Sequence, residues 1–206
     1  MPIFQRRPNP PFYTDYRRYK PFLREDFRHL CAYCLLHEGH PQLGGGFQSY
    51  QIDHFRPRKT FPELVAVYDN LYYACRLCNR AKWEIWPTQE EQDSDWRFVD
   101  PCAEDLYKDH ARLIPTTGKL DPISRPGDYT IRQIRLNRRV FKNLRRHRVT
   151  AQEEIQQCKI KLARLRREAA PLAELIDQLE QRIQTLEEQH INPKVPYEPA
   201  DLLVEE

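Results

Sequence analysis

No apolar run in this sequence approaches the ~20 residues that a membrane-spanning helix needs, and the opening MPIFQRRPNPPFY lacks the apolar core of a secretory signal. A soluble, cytoplasmic protein without membrane contact is the expectation. Hydrophobic residues make up only 40% of the 206, enough for a small core but not a large one. The chain therefore reads as one compact unit with extensions. Strong bulk charge is missing as well: 33 Lys and Arg against 30 Asp and Glu leave a net +3, so overall charge does not announce a nucleic-acid partner. Its distribution says more. Residues 1–30 carry 7 basic and 3 acidic groups, 84–124 carry 4 and 10, and 125–150 carry 9 and 1. A basic stretch set off in this way is an electrostatic footprint that can hold phosphates.

The prolines of PNPPFY and YKPF each remove a backbone donor and disfavour helix in the residue before, so residues 1–30 predict an extended arm ending in a short helix over LREDFRHL (23–30). PQLGGGFQSY (41–50) reads as a turn or flexible loop. Within a unit spanning 31–86, residues 51–82 read as strand, loop, strand, CxxC turn and the start of a helix. Residues 87–128, rich in proline and acids, predict an irregular acidic segment. Ile131, Ile134, Val140, Phe141 and Leu144 recur near a 3.6 period among arginines, predicting a basic amphipathic helix over 129–150.

In residues 151–190, positions Ile155, Cys158, Leu162 and Leu165 begin an a/d heptad pattern that continues to His190 and would suit self-association. Pro171 interrupts it at a cost of ~3 kcal/mol for an interior proline, leaving either a kinked long helix or a helical hairpin. The unbroken register and the lack of glycine at the break favour the kink. The tail, 191–206, reads as extended. The fold class expected is α+β: a small core followed by a mainly α-helical C-terminal region.

Four of the six cysteines form two CxxC pairs, Cys31/Cys34 and Cys75/Cys78, a spacing that favours a metal over disulfides in a reducing compartment. Four thiolates take zinc tetrahedrally in a site closed to substrate, so the ion would serve folding. His37 and His40 read as loop histidines rather than ligands, and Cys102 and Cys158 as packing residues.

Between the pairs stand Asp53 and His54, Asn70 before an apolar strand, and Asn79 directly after Cys78. A neutral imidazole can take a proton from water near pH 7, and a hard divalent ion can stabilise a leaving oxygen. One carboxylate and one amide oxygen, here Asp53 and Asn79, suffice to hold magnesium. Neighbours in a strand point to opposite faces, so Asp53 and His54 share a site only if the strand ends or bulges there. Taken alone, Asn79 is also a plausible helix cap.

CAYC, IDHFRP, DNLYYAC and CNRAK together resemble the HNH endonuclease family and its ββα-metal motif over residues 31–82. That resemblance implies His54 as general base, Asp53 and Asn79 as ligands of magnesium or manganese, and Asn70 as the residue that ties the loop and orients the histidine. Asparagine rather than histidine stands at the third motif position, which favours those hard, oxygen-preferring ions over a softer transition ion. FVDPCAED and the later YTIRQIRLNRRVFKNLRRHR resemble, more loosely, the HNH subunit of Septu-type anti-phage modules and retron-linked relatives, which implies an ABC-class ATPase partner.

The expected activity is hydrolysis of DNA phosphodiester bonds, with Arg56, Arg58, Lys82, Arg138, Arg139 and Arg145 contacting nucleic acid. The competing expectations are a zinc-dependent nucleic-acid-binding module that does not cut, and a coiled-coil adaptor.

Overall fold

The computed structural model describes residues 2–40, 46–166 and 173–191. The N-terminal segment is extended but packed down: Phe4 is buried, its amide donates to the Pro101 carbonyl at 3.1 Å, and Arg7 pairs with Asp26 at 2.9 Å. A single turn, Tyr16–Tyr19, is capped by Asp15 accepting the Arg17 amide, and it leads into helix α1, Lys20–Asp26, with Pro21 in the first turn, where its missing amide costs nothing. Helix α1 thus starts three residues before the predicted 23–30. Tyr19, Leu23 and Phe27 face the core from this stretch.

Strand β1, Tyr50–His54, pairs antiparallel with β2, Leu71–Cys75, in a register that runs from Tyr50 opposite Cys75 to His54 opposite Leu71. Every residue of β2 is buried, because the sheet is covered on both sides. Tyr72 donates to Asp100 at 2.7 Å, and Tyr73, on the other face, donates to the buried carboxylate of Glu38. Helix α2, Arg76–Lys82, follows β2 without a linker, so Cys75 closes the strand and caps the helix.

Beyond α2 the structure corrects two expectations. Residues 87–128 are not irregular throughout. They hold a short helix α3, Gln89–Asp93, with a Thr88/Glu91 capping box, and a second hairpin of β3, Ala111–Ile114, and β4, Lys119–Pro122. The hairpin turn uses Gly118 at φ 67°, where an added Cβ would lie 2.0 Å from the Lys142 carbonyl oxygen, so only glycine fits.

The expected single basic helix over 129–150 is broken. Helix α4, Arg125–Gln133, ends before Arg135 at φ 57°, and α5 starts at Arg139 and runs to Leu165. The interruption is held by Asn137, whose side chain accepts from the Leu120 amide and donates to the Leu120 carbonyl, both at 2.8 Å. Leu136 beside it is fully buried.

Helix α6, Ala173–Leu186, lies along α5 and forms a second, separate core of Ala151, Ile155, Cys158, Leu162, Ile183 and Leu186. Ion pairs Arg166–Glu180 and Lys159–Glu187 flank it. This is a helical hairpin, not the kinked helix that the register favoured, and the apolar stripe of α5 is covered within the chain. Pro171 and the tail from 192 lie outside the described residues. No helix among the described residues is long and apolar enough to cross a membrane.

Candidate active site and metal centre

The chain after α1 turns back at Cys31–Cys34, with the Ala32 amide donating to the Tyr73 carbonyl at 2.8 Å. That bond docks the first CxxC on β2, beside the second one at the β2–α2 junction. All four thiols are free and buried, and their sulfurs lie within 4.8 Å of one another. The Cys34 and Cys75 sulfurs are 3.8 Å apart, which matches the ~3.8 Å edge of a tetrahedron of sulfurs ~2.3 Å from a zinc ion. Burial pushes the Cys34 and Cys78 thiols up; burial also raises Cys31, but hydrogen bonds from the other three sulfurs outweigh it and hold that thiol well below its usual range. Four thiolates this close repel one another unless a cation sits between them. Size, donor type and closure all fit zinc.

His54 ends β1 and is 8% exposed. Its Nε2 is 3.0 Å from the Val65 carbonyl oxygen. A carbonyl only accepts, so Nε2 carries the proton and Nδ1 keeps the lone pair of the neutral ring. Burial holds the imidazole below its ordinary range; the Val65 bond opposes this, while the charges of Arg58 and Lys82 add to it.

Asn70 fixes this arrangement. Its Oδ1 accepts the Arg56 amide at 2.8 Å, and its Nδ2 donates to the Arg56 and Leu64 carbonyls at 3.0 and 3.3 Å. The loop between the strands is thereby pinned at its start and next to Val65, the residue that sets the histidine tautomer.

Asp53 is 3% exposed. It accepts from the Tyr33 hydroxyl, and Lys82 Nζ lies 3.3 Å from its Oδ2. Lys82, fully buried, also donates to the His54 carbonyl at 2.7 Å. Burial pushes Asp53 up and Lys82 down, and the attraction between the two groups opposes both shifts. On α2, Asn79 donates its Nδ2 to Gln51 Oε1 at 2.9 Å, leaving its own carbonyl oxygen as an acceptor. One carboxylate and one amide oxygen suit a hard divalent ion. A carboxylate already answered by an ammonium group would hold that ion less tightly than an unpaired one.

A cleft of about 1460 Å³ brings Asp53, His54, Arg58 and Asn79 together on one wall. Asn70 stands behind it. Lys82 is corrected from a surface contact to a buried clamp. Arg138 and Arg145 are corrected too: Arg138 donates to the Leu77 and Ile134 carbonyls, and Arg145 to the Gly118 and Leu136 carbonyls, so both guanidinium groups tie backbone together. Arg56 and Arg139 are exposed but do not line the cleft.

The sequence reading missed the opposite wall, which Tyr13, Tyr16, Arg17 and Arg18 supply from the N-terminal segment, and it missed Trp83 at the rim. The alternation of aromatic and basic residues in YRRYK was the available signal.

Residues 31–84 match the family model described as HNH endonuclease, a span of about a quarter of the chain. No curated protein and no solved structure matches the chain. The match to the HNH endonuclease model over residues 31–84 supports a nuclease-type function, and the buried four-cysteine cluster within it supports a metal-holding core.

Proposed function

We propose that the chain is a divalent-metal-dependent HNH endonuclease that hydrolyses DNA phosphodiester bonds. The observation that carries this is His54: a ring held neutral, with its Nε2 proton given to Val65, in one cleft with Asp53 and Asn79. Nδ1 of such a ring can take the proton of a water attacking phosphorus, and the Val65 contact keeps the resulting imidazolium oriented. Asp53 and Asn79 would hold magnesium or manganese, which when bound stabilises charge on the leaving oxygen. Arg58, exposed on the same wall, offers a phosphate contact that positions the strand without reading its sequence. Low or partner-conferred specificity follows.

The test is cleavage of supercoiled plasmid with magnesium or manganese, beside His54→Ala and a metal-free control. Metal-dependent nicking or linearisation that disappears in His54→Ala is expected. A fully active His54→Ala protein would overturn the mechanism, and salt-sensitive binding without cleavage would favour the non-cutting module instead. The looser resemblance to anti-phage HNH subunits supports a further proposal, an ABC-class ATPase partner docking on the α5–α6 hairpin. Co-purification from cells expressing both tests it.

A further inference from the structure

The cleft has two walls, and the second does not belong to the ββα unit. Tyr16, on the turn before α1, sets its ring 4.7 Å from that of His54 in an edge contact, and Arg58 reaches toward the Tyr16 hydroxyl at 3.5 Å. His54 therefore lies recessed between walls rather than on an open face. A slender, bendable strand reaches such a base more readily than a stiff duplex does.

The charges on the lining favour a polyanion. Its two carboxylates are already answered by lysines: Asp53 by Lys82, and Glu84 by Lys59 at 3.5 Å. Arg17 pairs with Asp15. Arg18 and Lys20 on one wall, with Arg58, Arg76 and Arg80 on the other, are the cationic excess.

At the rim stands Trp83, one turn beyond Asn79 and 69% exposed. It ends α2 at φ 45°, a backbone conformation that L side chains rarely adopt. A strained position that turns a large ring into water is a functional signal rather than a packing one. An aromatic face beside a basic groove is how proteins hold unpaired nucleic acid, since every base can stack whatever its identity.

We propose that this cleft holds a single nucleic-acid strand, with one unpaired base stacked on Trp83 and its phosphates held by arginines of both walls. The proposal rests on the nuclease reading for the nature of the polymer, and it adds that the strand is unpaired where it meets His54.

The test uses the full, zinc-loaded chain carrying His54→Ala, so that binding is read without cleavage. Fluorescence anisotropy compares a labelled single-stranded DNA oligonucleotide, its RNA counterpart and the matching duplex. The single strand of one or both chemistries binds more tightly than the duplex. Adding Trp83→Ala weakens that binding about 5- to 150-fold, the range for loss of one base stack, while Trp83→Phe restores most of it. Arg18→Ala and Arg80→Ala each lower the slope of log affinity against log salt by about 0.7.

Duplex preference, affinity indifferent to Trp83→Ala, or no binding at all overturns the proposal. The nuclease reading is tested separately, by cleavage with the unsubstituted chain. Trp83-dependent strand binding by a chain that never cuts would remove that reading and leave this one standing; an active chain indifferent to Trp83 would do the reverse.

Discussion

Among the described residues, two ion pairs are buried in the core, Asp53–Lys82 beside the cleft and Arg24–Glu38 behind β2. Replacing Lys82 by Met strands a carboxylate with only the Tyr33 hydroxyl, so a loss of about 3–5 kcal/mol is expected in urea unfolding, the usual result of breaking a buried pair. Arg58→Ala, on the surface, should stay within about 0.5 kcal/mol of the parent in stability while weakening DNA binding. A Lys82→Met protein that unfolds like the parent but binds DNA poorly would return Lys82 to the surface role its sequence suggested. Glu38, the acid of the second pair, is sensitive to pH. Burial would push its carboxyl up, but hydrogen bonds from His29, Arg24 and Tyr73 outweigh burial and hold it down at about 2. A carboxyl depressed on folding adds stability above its unfolded value, and that stability is lost as pH falls through the folded one. Glu38→Gln should therefore cost on the order of 3 kcal/mol at neutral pH, and the gap to the parent should close between pH ~4.5 and ~2. Chemical denaturation of both proteins across that window measures it; a gap independent of pH would show that Glu38 is not the charged partner of Arg24.

The loop between β1 and β2 works as one element because Asn70 ties it with three hydrogen bonds, two at Arg56 and one at Leu64. With Asn70→Ala, Leu64 and then Val65 lose their anchor, so the His54 ring loses the carbonyl that fixes its tautomer. The cost expected is about 1–3 kcal/mol for buried groups left unpaired, together with a fall in kcat larger than any rise in KM. Single-turnover cleavage beside a thermal melt separates the two effects, and unchanged kcat would deny Asn70 its positioning role. The same region shows why some elements were legible and others were not. Strand β2 announces itself through the apolar run LYYAC after Asn70, β1 through little more than Tyr50 and Ile52 before the Asp–His pair, and the CxxC–Asn–Lys order places the start of α2. The β3–β4 hairpin was readable in IPTTGKLDP, a glycine turn between short alternating runs, but four-residue strands beside prolines gave too little periodicity. The break between α4 and α5 was not readable, because it depends on Asn137 meeting the backbone of Leu120, 17 positions away. Periodicity likewise could not say which arginines turn inward: Arg138 and Arg145 satisfy carbonyls that only the fold brings near.

At the scale of the whole molecule, the four-cysteine cluster joins the turn after α1 to the β2–α2 junction, and so holds the cleft wall carrying His54 and Asn79 against the segment leading in from the other wall. The α5–α6 hairpin has a core of its own and no ligand in the cluster. Apparent zinc binding in small sites contributes about 10–16 kcal/mol, comparable to the ~5–15 kcal/mol net stability of a domain, so removing the ion should unfold the ββα unit rather than merely loosen it. Stripping the protein with a strong zinc chelator is therefore expected to abolish cooperative melting of the core and all cleavage, while α5 and α6 keep their helical circular dichroism. Cys75→Ser should behave in the same way without chelator. Returning zinc should restore both melting and the capacity to cut, whereas magnesium alone should restore neither, because a hard ion that prefers oxygen cannot replace one held by four thiolates. If magnesium by itself revived cleavage in stripped protein, the cysteine cluster would not be what holds the cleft together. The contacts of Tyr33, Tyr72 and Tyr73 with Asp53, Asp100 and Glu38 would then have to carry that task without a metal.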